Sequence, residues 1–142
     1  MSHKKRTVLF LCTGNSARSQ MAEAVVNARL GDEWQAFSAG TEPAGYVHPN
    51  AVRALAEIGI AHQGRSKGPL EFRDVAFDLV VTLCDDASEN CPVWLGHGRR
   101  AHLGFRDPVR AAGSDEEVME AFRAVRNEIA ERVPDLLRQG EG

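Results

Sequence analysis

The sequence predicts an α/β protein whose parallel sheet is covered by helices on both faces. Short apolar runs bounded by glycine or proline alternate along the chain with amphipathic stretches of helical period. Strands that alternate with helices of about 10–20 residues are typical of parallel sheets, which bind ligands at the carboxyl ends of their strands. The chain has 142 residues, of which 43% are hydrophobic. This length and composition predict a single domain, residues 1–142, with a well-packed core.

The first half of the chain begins with a predicted strand over residues 7–11, a short apolar run that ends in a glycine-containing loop. A helix is predicted over residues 18–30, because small and apolar side chains recur there at helical spacing. Gly31 follows at the position where a glycine often caps a helix. Residues 35–39 form the second predicted strand.

The second half continues the alternation. A helix is predicted over residues 49–58, since a proline occupies its first turn and a glycine follows its end. Residues 77–83 form a buried strand and residues 100–103 a weaker one. The last helix starts at the capping box that begins with Ser114, and we expect Pro134 to kink or end it.

Charge and cysteine content exclude several classes of protein. The net charge is −3, so no general positive field favours nucleic acid or a membrane surface. The apolar run after the basic N-terminus is too short for a secretory signal, and no run approaches the ~20 residues of a membrane span. The three cysteines are an odd number, which argues against a disulfide scaffold. We therefore expect a cytoplasmic protein with reduced thiols.

The loop after the first predicted strand has the form cysteine, five residues, arginine. Backbone N–H groups of such a loop can point inward and form an anion-binding nest at a helix N-terminus. Arg18 can bind two oxygens of one anion through its planar fork, and Cys12 lies beneath as the nucleophile. The predicted oxyanion-binding residues are Thr13, Gly14, Asn15, Ser16, Ala17, Arg18 and Ser19. A lone cysteine can also be a small buried apolar residue, but the placement between strand and helix favours a catalytic loop.

Several motifs together resemble the low molecular weight protein tyrosine phosphatases and, within them, the thioredoxin-coupled arsenate reductases. These motifs are VLFLCTGNS at 8–16, RSQMAEA at 18–24, FSAG at 37–40, PNA at 49–51, VVTLC at 80–84, NCP at 90–92 and GFRDP at 104–108. The resemblance covers nearly the whole chain. It implies a three-layer sandwich in which helices flank a four-stranded parallel sheet.

The resemblance also implies an activity, the reduction of arsenate to arsenite by a relay of three cysteines. Cys12 attacks arsenic, Cys84 attacks Cys12, and Cys91 then attacks Cys84, after which thioredoxin reduces the disulfide. Phosphate and sulfate act as mimics of arsenate, and no cofactor or metal is needed. Asp107 is the implied general acid; local sequence alone favours a turn residue, because an aspartate before a proline readily starts a turn, and the resemblance reverses that preference.

Cys84 and Cys91 decide between a reductase and the alternative, a phosphatase that hydrolyses phosphomonoesters through a Cys12 phosphoenzyme. A non-catalytic oxyanion or redox sensor is a third possibility. The polar segment between these two cysteines holds little apolar surface, so we expect it to unwind during turnover. Structural zinc with His97 and His102 is an unfavoured alternative, because the two cysteines are farther apart than in most zinc motifs.

A further set of residues is expected to support the loop. Relatives that bind potassium beside the loop use ligands that match Asn15, Glu23, Ser38 and, in place of an acidic residue, Lys67. A lysine ammonium cannot bind a cation, but it can occupy the same place and donate to Asn15 and Glu23. We therefore predict no dependence on potassium; a solvated surface lysine is the simpler alternative.

Overall fold

The computed structural model describes residues 5–85 and 98–139. Its described strands form one parallel sheet in the order β2-β1-β3-β4. The strands are β1 (Arg6–Cys12), β2 (Trp34–Gly40), β3 (Leu79–Thr82) and β4 (Arg99–His102). The helices are α1 (Arg18–Arg29), α2 (Pro49–Glu57) and α3 (Asp115–Gln139), with short 3-10 turns at Pro69–Phe72 and Pro108–Arg110. The predicted α/β class with a four-stranded parallel sheet is confirmed.

The register of the sheet places the functional residues at one edge. β1 and β2 pair from Arg6↔Trp34 to Cys12↔Gly40, and β1 and β3 pair up to Leu11↔Thr82. Parallel strands bring their carboxyl ends to the same side. Cys12 therefore lies at the same edge of the sheet as the residues that follow Thr82, including Cys84.

Two apolar clusters cover the two faces of the sheet. On one face, Val8 and Phe10 pack with residues of all three helices, among them Met21, Leu55 and Phe122, each fully buried. On the other face, Leu9, Leu11 and Val80 pack under aromatic rings. Those rings are edge-on to one another with centroids 5.6–5.9 Å apart, and they belong to Phe37, Phe72 and Phe77. Alternate residues of β1 thus serve opposite layers, as the pleat of a strand requires.

The third strand is shorter than predicted. It covers four residues, because Phe77 turns into the aromatic cluster and the carboxylate of Asp78 instead accepts the N–H of Thr7 at 2.7 Å. The other strands and helices agree with their predicted bounds to within a residue or two, apart from the end of α3.

The last helix begins at the predicted capping box. Ser114 Oγ accepts the N–H of Glu117 at 3.1 Å, and Glu117 Oε1 accepts the N–H of Ser114 at 3.2 Å. Pro134 does not end the helix, which continues to Gln139. Val133 and Leu137 are fully buried, and their burial offsets the cost of a proline in a helix interior, which is about 3 kcal/mol. No helix of the described residues is long and apolar enough to cross a membrane.

Candidate active site

The loop between β1 and α1 is held from outside by the chain that follows β2. The carbonyl groups of the loop point away from its centre and accept four backbone N–H groups. The pairs are Thr41 to Cys12 at 3.2 Å and Glu42 to Thr13, Ala44 to Gly14 and His48 to Ser16 at 2.9 Å each. Because its carbonyls are bound outward, the loop can turn its own N–H groups toward its centre.

Cys12 is at the centre of this loop and is 2% exposed. Its Sγ is 2.8 Å from Ser19 Oγ and accepts the N–H of Asn15 at 3.2 Å. Ser19 Oγ already accepts a hydrogen bond from Asn15 Nδ2 at 2.7 Å, so its own proton is free to point at the sulfur. Two hydrogen-bond donors thus face the sulfur of the predicted nucleophile.

Asn15 adopts a left-handed backbone conformation with φ of 47° and its side chain connects the loop to neighbouring segments. Its Oδ1 accepts the backbone N–H of Lys67 at 2.9 Å and Gln20 Nε2 at 3.0 Å. Asparagine tolerates this conformation better than most residues. The buried side chain therefore fixes both the turn of the loop and the hydroxyl that faces Cys12.

Gly40, the last residue of β2, allows the loop to approach the sheet closely. A Cβ at this position would lie 2.4 Å from Thr13 O and 2.7 Å from Asn15 N. Both contacts are with backbone atoms, which cannot move without changing the loop. Only glycine fits here for that reason.

Arg18 forms one wall of the site and is 2% exposed. Its Nη1 donates to Phe105 O at 3.2 Å and to Leu83 O at 3.5 Å, while Nη2 is 3.6 Å from Asp107 Oδ2. Asp107 Oδ1 accepts the N–H of Val109 at 3.1 Å. These contacts fix the planar guanidinium and bring the predicted general acid to the site.

Together these groups surround a cavity of about 170 Å³. The cavity is lined by Cys12, Thr13, Gly14, Asn15, Ser16, Ala17, Arg18, Ala44, Asp107, Val109 and Arg110. Helix α1, behind the cavity, has no side-chain cap at Ala17 and no acidic residue in its first turn, so neither a cap nor a carboxylate of that turn competes with an anion at its N-terminus. A small tetrahedral oxyanion fits the shape and charge of this cavity.

The residues expected to support the loop also meet. Ser38 Oγ donates to Glu23 Oε1 at 3.0 Å, and Lys67 Nζ lies 3.4 Å from Ser38 Oγ and 4.0 Å from Glu23 Oε1. Burial raises the pKa of Glu23 and lowers that of Lys67, and the attraction between the two groups opposes both shifts. The expected bond from the ammonium to Asn15 is wrong: the backbone N–H of Lys67 makes it.

The structure describes two of the three cysteines, Cys12 and Cys84. Cys12 is a free thiol, whereas Cys84 is fully buried and disulfide-bonded. Cys84 directly follows Leu83, whose carbonyl accepts Arg18. Cys91 and His97 lie outside the described residues, as does the polar segment from residue 86. Within the described ranges, no cluster of metal-binding side chains is found.

Sequence reasoning missed two histidines beside the loop. His62 Nε2 is 2.7 Å from Gln20 Oε1, and Gln20 Nε2 bonds the loop at Asn15. His48 caps α2 by accepting the N–H of Asn50 at its Nδ1, and its backbone N–H binds the loop. Burial lowers the pKa of both histidines. The only local sequence signal for either histidine is that His48 directly precedes Pro49 at the start of a predicted helix, and this signal is weak.

Comparison with known proteins agrees with this geometry. The family model described as "Low molecular weight phosphotyrosine protein phosphatase" matches residues 7–141. An arsenate reductase of Bacillus licheniformis is 46% identical over 139 residues, which are 96% of this chain and 99% of that protein.

Two solved structures are similar over nearly the whole chain. The crystal structure of an arsenate reductase from Archaeoglobus fulgidus is 39% identical with a TM-score of 0.71, covering 91% of this chain and 97% of its own. An arsenate reductase in a phosphate-binding state is 28% identical with a TM-score of 0.70, covering 94% and 98% of the two chains. The expected resemblance is confirmed, and this chain belongs to the low molecular weight phosphotyrosine protein phosphatase family.

Proposed function

We propose that this protein reduces arsenate to arsenite. One observation carries the proposal: a cysteine, Cys84, follows β3 at the sheet edge where the anion loop lies. A phosphatase needs the loop, Arg18 and an acid, and makes no use of a second sulfur. A reductase must supply two electrons, and thiols near the nucleophile can supply them. The similarity to arsenate reductases over nearly the whole chain supports the same activity.

The first step is attack of the Cys12 thiolate on arsenic. A sulfur–arsenic bond forms and one arsenic–oxygen bond breaks, with the leaving oxygen taking a proton from Asp107 and departing as water. The loop N–H groups and Arg18 stabilise the remaining oxygens. The Ser19 hydroxyl and the Asn15 N–H face the attacking sulfur.

The second step transfers the electrons. The Cys84 thiolate attacks Cys12 Sγ, a disulfide forms, and the sulfur–arsenic bond breaks with its electron pair left on arsenic, which is thereby reduced and released as arsenite. Cys91 next attacks Cys84, which frees Cys12 as a thiolate. The disulfide of Cys84 beside a free Cys12 fits the stage after this exchange.

A dithiol partner must then reduce the remaining disulfide, and we propose thioredoxin. Such a partner works in a reducing compartment, so we propose a cytoplasmic location. The partner must reach a sulfur that is fully buried at Cys84. We therefore propose that residues 84–94 rearrange between the reduced and oxidised protein. Equal hydrogen-exchange protection of this segment in both redox states would contradict the rearrangement.

The test is arsenate-dependent oxidation of NADPH in the presence of thioredoxin and thioredoxin reductase. We expect sustained turnover by the unmodified protein, and no sustained turnover by Cys84→Ser or Cys91→Ser. In a single turnover without thioredoxin, Cys91→Ser should still release one arsenite per protein, whereas Cys84→Ser should release none. If Cys84→Ser turns over at the rate of the unmodified protein, the relay is wrong.

Hydrolysis of phosphomonoesters is the second candidate, since the family membership and the loop with Arg18 and Asp107 favour it. Phosphate and arsenate have the same shape and charge, so a weak phosphatase activity is compatible with the reductase. A phosphatase would hydrolyse an aryl phosphate equally well in both serine variants and would show no arsenate-dependent oxidation.

A further inference from the structure

Arg110 is a second arginine that lines the anion cavity together with Arg18. It belongs to the 3-10 turn that directly follows Asp107. Its Nε is 3.9 Å from Asp107 Oδ2, and Arg18 Nη2 approaches the same oxygen to 3.6 Å. Asp107 Oδ1 is turned away from this meeting point, because it accepts the N–H of Val109. Two guanidinium groups therefore meet at the side of the cavity where Asp107 lies.

The two arginines differ in how firmly they are held. The Arg18 side chain is 2% exposed and donates to two backbone carbonyls. The Arg110 side chain is 62% exposed. A long exposed side chain changes its rotamer at small cost, whereas a buried one does not. The Arg18 side chain is thus held in one position, whereas the Arg110 side chain can reorient toward an anion that enters the cavity.

The residues that line the cavity include two arginines, Arg18 and Arg110, and two acidic groups, Asp107 and Cys12. Among the described lining residues, Arg110 is therefore the only cation besides Arg18. A guanidinium at this place attracts an oxyanion and can donate hydrogen bonds to it directly.

We propose that Arg110 is a specificity-determining residue that favours a free inorganic oxyanion over a phosphomonoester. The inference rests on the proposed function and names the substrate class of the same site. When three oxygens of a tetrahedral anion lie in the loop, the fourth faces Asp107 and Arg110. In arsenate this oxygen carries charge or a hydroxyl group. In a monoester it is the uncharged bridging oxygen, and the organic group occupies the space that Arg110 needs.

The test measures binding without turnover. The probe is the rate at which iodoacetamide alkylates Cys12 in the reduced protein, followed by mass spectrometry of the peptide that contains it. Bound anion protects Cys12, so the half-protecting concentrations of inorganic arsenate and of phenyl phosphate report the two affinities. The variants are Arg110→Ala and Arg110→Lys, with Arg106→Ala as the matched control, since Arg106 is exposed and does not line the cavity.

We expect Arg110→Ala to need about tenfold more arsenate for half protection, the usual loss for one hydrogen bond to a charged group. Its half-protecting concentration of phenyl phosphate should change by less than about twofold. Arg110→Lys should recover part of the arsenate affinity, and Arg106→Ala should match the unmodified protein.

Two results would overturn the inference. Equal loss for both anions would mean that Arg110 acts on the site only through Asp107, and no loss for arsenate would mean that it does not bind the anion. Failure of the proposed function gives a different result, because an anion can protect Cys12 from iodoacetamide without being reduced. If the unmodified protein binds arsenate but supports no NADPH oxidation in the coupled assay, the reductase is refuted and the selectivity of Arg110 is still measurable.

Discussion

The two halves of the sheet are built differently. β1 and β2 pair over their full length and end at Cys12 and Gly40, where the anion loop is bound from several sides. β3 and β4 are four residues each, and most of β4 is exposed. The half that binds the anion consists of β1, β2 and the loop between β1 and α1, and it must present fixed N–H groups. We call it the rigid half. The other half, whose two strands flank Cys84 in the chain, must let a sulfur move in the proposed relay.

This difference follows the amount of buried apolar surface and internal hydrogen bonding. In β1, residues Val8–Leu11 are at most 1% exposed, and four carbonyl groups from Cys12 to Ser16 each accept a backbone N–H. β4 presents arginine and histidine side chains to solvent. Segments with few buried contacts open at lower free energy than the core. The protein thus combines a rigid oxyanion site with an outer strand, β4, that is held by fewer buried contacts.

The largest expected effect comes from a substitution in the rigid half, at Gly40. In Gly40→Ala, the new Cβ would overlap Thr13 O and Asn15 N, so the loop must shift by a large fraction of an ångström. Misplacement of a catalytic group by that distance can cost about a hundredfold in rate. We expect a loss of about that size in kcat/KM for arsenate, measured by the coupled NADPH assay.

The matched control for this change is Gly68→Ala. A Cβ at Gly68 would be 3.7 Å from Pro43 Cγ and 3.9 Å from Gly40 O, which is ordinary contact. Its activity should stay within about twofold of the unmodified protein, as for most substitutions without strain. Equal activity of the two alanine variants would show that the loop is less rigid than its hydrogen bonds indicate.

A smaller effect is expected at Lys67, which we propose replaces a potassium ion beside the loop. In Lys67→Ala, Glu23 and Ser38 lose a cationic partner, and a buried carboxylate without a partner is destabilised. We expect about a tenfold weaker affinity for phosphate in sodium buffer, with partial recovery in potassium. Isothermal titration of phosphate in the two salts measures both.

The unmodified protein should bind phosphate equally in sodium and potassium. Arg65→Ala controls for the loss of a positive charge near the same loop, because the Arg65 side chain pairs with Glu71. It should show no salt preference. A potassium requirement in the unmodified protein would contradict the proposed role of Lys67.

Local sequence signals predicted the rigid half well. The strand over 7–11 and the loop from Cys12 to Arg18 could be recognised because both depend on residues close together in the chain. The bond from the Lys67 backbone to Asn15 and the contact of His62 with Gln20 could not, because they depend on how the chain returns after α2. The required glycine at position 40 also depends on a neighbour distant in sequence.

The smallest expected effect concerns His48, which links the rigid half to α2 and α3. Its ring packs 4.7 Å from the ring of Phe122, and its Nδ1 accepts the N–H of Asn50. Burial lowers the pKa of His48 below its ordinary value of 6.5, although the charge of Asp107 acts in the opposite direction. A histidine with a lowered pKa contributes stability that is present above the unfolded pKa and is lost as pH falls through the folded one.

Protonation also removes the acceptor at Nδ1, so the cap of α2 is lost together with the neutral ring. In His48→Asn, the side chain still accepts the N–H of Asn50, since asparagine is among the best N-cap residues, but it does not titrate. Urea denaturation at pH 7 and pH 5 should show that this variant loses about 1 kcal/mol less stability on acidification than the unmodified protein. His62→Gln should leave the contribution of His48 intact, because His62 contacts Gln20 and not the cap. If His48→Asn and the unmodified protein lose equal stability, the acid sensitivity of the fold arises elsewhere, and the contact between the rigid half and α2 does not depend on pH.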